Sequence, residues 1–234
     1  MNCFPFYHLR LGLVFFLLVV GVLVATAQTN SLPKFTFSLS SGATKVFNSR
    51  NAPLFATAEN GFFVDLSAAR SLGKNWGALL SLEHNVSALN TDKAIAVHLF
   101  NDAQATSIHI DAGPIQLSNL SAGVYYKWPI NQVFALQVSP RIGYSHLQTP
   151  NTLVEVATVP HTSHNYARGN TAGIYYAIHT QVILKISNRI DVDLNLGYGN
   201  SRHQVRTIDG QERIKYPINI SKLNLGAGVS FTIW

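Results

Sequence analysis

The chain has 234 residues with 17 Lys+Arg against 11 Asp+Glu, and charged residues are only 12% of it, about half the share of an ordinary soluble domain. So little charge excludes a surface that faces water on all sides, and the scattered cations exclude a basic nucleic-acid-binding arm. The single cysteine, Cys3, lies in the first residues of the chain, in a segment expected to be removed, which excludes disulfide staples.

In chain order, that segment comes first. Met1–Arg10 carries His8 and Arg10, Leu11–Val24 is an unbroken apolar run, and Ala25-Thr26-Ala27 is a small-x-small cleavage site. This is the order of a secretory signal peptide, residues 1–27, and the run is shorter than the ~20 residues a spanning helix needs. From Gln28 to Trp234 the chain is long enough for one domain, with 16 cations against 11 carboxylates.

Residues 28–234 show no helical period. They show strict alternation, the two-residue period of strands with two different faces. Eight segments carry it: Lys34–Ser41, Gly61–Arg70, Trp76–Val86, about Gln116–Trp128, Val133–His146, Asn170–Ile186, Ile190–Gly199 and Lys222–Trp234. The fourth has a soft start, because Ser107–Leu117 could extend it. One face is Leu, Val, Ile and aromatic; the other is mostly Gly, Ser, Thr and Asn with roughly one charge per segment.

Short connections (72–75, 129–132 and 187–189) alternate with long ones (about 42–60, 87–115, 147–169 and 200–221). Such a plan predicts an all-β, eight-stranded antiparallel up-and-down transmembrane barrel, with the short turns and both termini periplasmic and the long loops outside. A soluble barrel would show water a face rich in Lys and Glu. Here the polar face is made of small residues suited to a crowded eight-stranded lumen. By the strand reading Trp76, Trp128 and Trp234 all lie at the periplasmic rim, where an aromatic girdle is expected; Tyr144, Tyr176 and Tyr198 lie nearer the other rim.

The last segment, LNLGAGVSFTIW, resembles the C-terminal signature that outer-membrane barrels present to the assembly machinery. With the signal segment, the eight strands and SPRIGY (Ser139–Tyr144), the chain resembles the PorT-like outer-membrane barrels of Bacteroidota. That resemblance implies an outer-membrane protein and a part in type IX secretion.

The polar face carries the residues that a lumen would enclose. Asp65 and Glu83 lie at matching distances from the first turn, and Arg141 and His179 at comparable height on the fifth and sixth segments. Buried charges need partners, so Asp65, Glu83 and Arg141 are expected to form an ionic plug, with His179 able to gate it. Lys185 and Asp191 flank the 187–189 turn and should face each other, with Asp193 and Lys127 nearby. No catalytic, cofactor or metal set is expected. An enzyme acting on lipid A would need His and Ser together on the outer face, but His161 to Asn165 lies in a loop and His84 has no placed serine. Expected partners are outer-membrane lipids and lipopolysaccharide, met by a basic loop rim of Lys45, Arg50, Arg202, Arg206, Arg213 and Lys215, together with the assembly machinery and secretion proteins.

Overall fold

The computed structural model describes residues 34–48, 58–89, 107–150, 152–157, 162–166, 169–209 and 212–233. The signal segment, Arg50, His161 and Trp234 lie outside them. Eleven strands run β1 (Phe35–Asn48), β2 (Ala58–Ser71), β3 (Trp76–Leu89), β4 (Ser107–Ala112), β5 (Ile115–Pro129), β6 (Phe134–Gln148), β7 (Thr152–Ala157), β8 (Thr162–Tyr166), β9 (Asn170–Lys185), β10 (Ile190–Asp209) and β11 (Glu212–Ile233). Eight of them close a barrel in the order β1-β11-β10-β9-β6-β5-β3-β2. Every neighbouring pair is antiparallel, and the first and last strands meet along Phe35↔Ile233 to Asn48↔Ile220.

The three short turns share one bonding pattern. Leu72 N donates to Trp76 O, Ile130 N to Phe134 O and Ile186 N to Ile190 O, each at 3.0 Å. Side chains help to close two of them: Asn131 Oδ1 accepts from Val133 N and Phe134 N, and Ser187 Oγ from Arg189 N and Ile190 N. These are the local bonds that favour Asn and Ser in turns. Val133 therefore belongs to the turn, and β6 starts one residue later than the alternation suggested.

At the other end the expected loops are largely strand. Residues 200–221 form a hairpin whose register continues to Asp209↔Glu212. β9 pairs with β10 only as far as His203↔Gly173, and β1 with β11 only to Asn48↔Ile220. The hairpin thus projects beyond the closed barrel. Ser107–Ala112 does not extend β5 but pairs with β7, in a separate sheet of order β4-β7-β8.

Alternation sets the two faces. Leu66, Val124, Ile142, Ile174, Leu194 and Leu225 are among many large apolar side chains left exposed around the wall. Their sequence neighbours Asp65, Arg141, Asp193 and Asn224 are buried. The barrel is apolar outside and polar inside, the reverse of a water-soluble barrel.

Candidate functional site in the barrel lumen

Three polar layers line the lumen. At the end that holds the short turns, the start of β1 and the end of β11, Lys127 Nζ of β5 lies 3.6 Å from Asp191 Oδ2 of β10. These strands are not neighbours, so the ion pair spans the mouth. Lys185 is the register partner of Asp191, as the turn predicted, but the Asp191 carboxylate pairs with Lys127. One layer in, Gln137 Nε2 donates to Gln181 Oε1 at 2.8 Å, and Gln181 and Asn195 both donate to Asp193 Oδ1 at 3.4 Å. Asp193 is accordingly held by amides and not by a cation.

The middle layer holds the charges. Asp65 and Glu83 are register partners on β2 and β3, but their carboxylates find different partners. Arg141 Nη1 donates to Asp65 Oδ2 at 2.8 Å and to Ser81 Oγ at 2.9 Å, while Ser81 Oγ donates to Asp65 Oδ1. Glu83 is ion-paired to Lys222 of β11. Its Oε1 accepts from Asn85 at 2.6 Å and Asn119 at 3.0 Å, and its Oε2 from Asn224 at 3.0 Å. His179 Nε2 is 3.9 Å from Glu83 Oε2. Thr44 and Ser145 donate in turn to Asn224 and Asn119 at 2.6 Å. Glu83 is 2% exposed and Lys222 1%, so water contributes little and each charge relies on its neighbours.

The expected trio of Asp65, Glu83 and Arg141 is therefore corrected to two linked pairs, Asp65–Arg141 and Glu83–Lys222. Lys222 was missed. It opens the eighth alternating segment, in phase with Asn224 and Gly226, and that phase was the available signal. β10 contributes space in place of a side chain. A Cβ on Gly197 would strike the His179 ring, and one on Gly199 would strike Tyr175, whose ring lies 5.0 Å beneath Lys222 Nζ.

At the hairpin end the inward face turns apolar. Ile115, Leu117, Leu147, Ile218 and Ile220 are buried together, with Val46 and Leu89 against them. Between this cap and Lys222 lies a cavity of about 10 Å³ lined by Asn85 and Ser87, room for about one water molecule.

The outer face carries the girdle. Trp76 and Tyr126 are register partners, Tyr126 and Trp128 stack edge-to-face at 4.4 Å, and both tryptophans are exposed at the turn end. Tyr144, Tyr176 and Tyr198 are exposed on the contiguous strands β6, β9 and β10. Higher on this face His84 does have a serine partner, Ser118 Oγ at 2.9 Å from His84 Nδ1. Among the described residues no group of three His, Cys, Asp or Glu side chains is placed to hold a metal ion.

A closed eight-stranded antiparallel barrel with an apolar wall and a polar lumen is the fold of outer-membrane β-barrel proteins. No protein-family model matches the chain, and no curated protein matches it. Among solved structures it is similar to a major outer membrane protein from Thermus thermophilus, with a TM-score of 0.50 at 10% identity over 87% of this chain and 100% of that one. It is also similar to OprG from Pseudomonas aeruginosa (TM-score 0.48, 7% identity, 86% and 96% covered). A third is the neisserial surface protein A (TM-score 0.46, 12% identity, 85% and 96% covered).

Proposed function

We propose that the protein is an integral barrel of a bacterial outer membrane whose lumen is plugged, and that it works through the projecting β10–β11 hairpin and the β4-β7-β8 sheet. The carrying observation is the middle layer, where Asp65–Arg141 and Glu83–Lys222 cross the lumen between strands far apart in the wall. An eight-stranded lumen is only just wide enough for side chains, and here charged pairs and an apolar cap occupy it in series. The exposed apolar wall, with Trp76 and Trp128 at one rim, supports the membrane setting. In planar bilayers the purified barrel should give no stable conductance. Sustained single-channel current from the parent protein would refute the plugged reading.

The hairpin extends past both neighbouring strands and so presents backbone edges to a partner, the geometry of strand addition. Resemblance to PorT-like barrels adds the finer reading, a subunit of a type IX secretion assembly; it rests on short motifs such as Ser139–Tyr144. Co-purification from solubilised outer membrane is its test, with recovery of secretion components expected and their absence counting against it.

The second reading is an enzyme acting on lipid A, and the His84–Ser118 pair favours it. A serine hydroxyl beside an imidazole on the lipid-facing side is the start of an acyl-transfer site. If it is one, a fluorophosphonate should label Ser118 and the label should disappear in His84→Ala. An unlabelled Ser118 leaves the binding role as the reading.

A further inference from the structure

The charge surplus of the barrel is not spread over it. Six cations stand at the turn end: Lys34 before β1, Arg70 near the end of β2, Lys74 in the first turn, Lys127 at the mouth, Lys185 ending β9, and Arg189 in the third turn. One carboxylate among the described residues, Asp191, stands with them, and it is paired with Lys127. Six against one is a surplus of five. All the described residues together carry 13 cations against nine carboxylates, a surplus of four, so the turn end accounts for the whole of it. Among the described residues the loop rim is balanced, with Lys45, Arg202, Arg206, Arg213 and Lys215 against Glu59, Asp111, Glu155, Asp209 and Glu212 on the strands of that end.

Five of the six, all but Lys127 on β5, also lie on one arc. Lys34 and Arg70 sit side by side, the Lys34 carbonyl accepting from Ser71 N at 3.0 Å and the Arg70 guanidinium lying over the Phe35 ring. Arg189 is tied to the end of β11 through Thr232 N at 2.8 Å. Lys74, Lys185 and Arg189 are exposed. The arc runs from β9 through β10, β11, β1 and β2 to the start of β3. The remaining turn, between β5 and β6, has no charge and exposes Ile130 at 66% and Val133 at 45%.

These cations stand at the level where Trp76 and Trp128 end the apolar wall, which is the level of lipid headgroups. Like charges on one rim repel each other wherever they come within the screening length of roughly 8–10 Å. Fixed anions at that level relieve the repulsion. We propose that the turn-end arc is a docking surface for anionic phospholipid, its cations binding headgroup phosphates of the leaflet at that end. The uncharged β5–β6 turn should then face the apolar side of the boundary. This deepens the membrane reading and rests on it.

The test uses the full mature chain folded into nanodiscs of phosphatidylcholine containing phosphatidylglycerol, followed by release and native mass spectrometry of retained lipid. The parent barrel should retain phosphatidylglycerol preferentially. The variant K74Q/K185Q/R189Q should lose the preference, by about five-fold for each cation removed. The charge-keeping K74R/K185R/R189K should behave as the parent, and so should the loop-end control K45Q/R202Q/R206Q. Equal retention by the two charge-removed variants overturns the proposal, as does a parent barrel without preference. Insertion into pure phosphatidylcholine, read as heat-modifiable migration, reports the membrane reading by itself and separates the two failures.

Discussion

Arg141 and Asp65 show how much one buried side chain can carry. Removing the guanidinium leaves the Asp65 carboxylate with Ser81 alone, in a layer closed to water. Truncating one partner of a buried pair costs about 3–5 kcal/mol. Arg141→Ala should therefore lower the urea midpoint of the vesicle-inserted barrel markedly. D65N together with R141Q should recover part of that loss, since the uncompensated charge is gone. A single variant as stable as the parent would show that the pair is not buried in the membrane. The glycines of β10 make a separate prediction. Gly199→Val pushes into Tyr175 and Lys222, an overpacking of about 1–3 kcal/mol, measurable as a lower melting temperature of heat-modifiable migration. At this scale the sequence was half legible. Asp65, Glu83 and Arg141 stood out as charges on a small-residue face. Asn85, Asn119 and Asn224 did not, because their value lies in meeting Glu83 across 141 residues of sequence in the case of Asn224.

Strands were legible where they border lipid and illegible beyond it. Within the wall, alternation contrasts an apolar face with a polar one, so Trp76 and Ile190 mark strand starts correctly. Past the wall the contrast fades in the sequence, which is why 200–221 read as a loop. Pro217 added to that, since proline argues against a strand interior. It pairs with Gln204 after β1 has ended at Asn48, so its missing N–H falls where no strand follows on that edge. Replacing residues 205–216 with a two-residue turn should leave all eight barrel pairings in place. Heat-modifiable migration should be unchanged, while capture of any partner bound by strand addition is lost. Loss of folding on trimming would show that the hairpin belongs to the core of the barrel.

For the whole molecule, the membrane setting makes the tryptophans reporters of depth. With Trp76 and Trp128 at the end of the apolar wall, lipids brominated near the headgroup should quench their emission more than lipids brominated at the chain terminus. The reverse order would place that rim in the bilayer centre. Overall architecture was legible because eight alternating segments and three tight turns leave few other ways to connect them. The separate β4-β7-β8 sheet was not, since β4 pairs with β7 some 45 residues on and its pattern resembles a continuation of β5.

The ring has a seam. Every pairing but one joins strands that follow each other around the wall in chain order, and the exception joins Phe35–Asn48 to the last strand made. Until β11 arrives, β1 keeps a row of unpaired amides and carbonyls, each costing several kcal/mol in hydrocarbon. A chain stopped before Glu212 therefore has no low-energy place in a bilayer, however complete its other strands. Insertion is rewarded only once β11 is in place, so its 22 residues act as a proofreading step on the strands made before it.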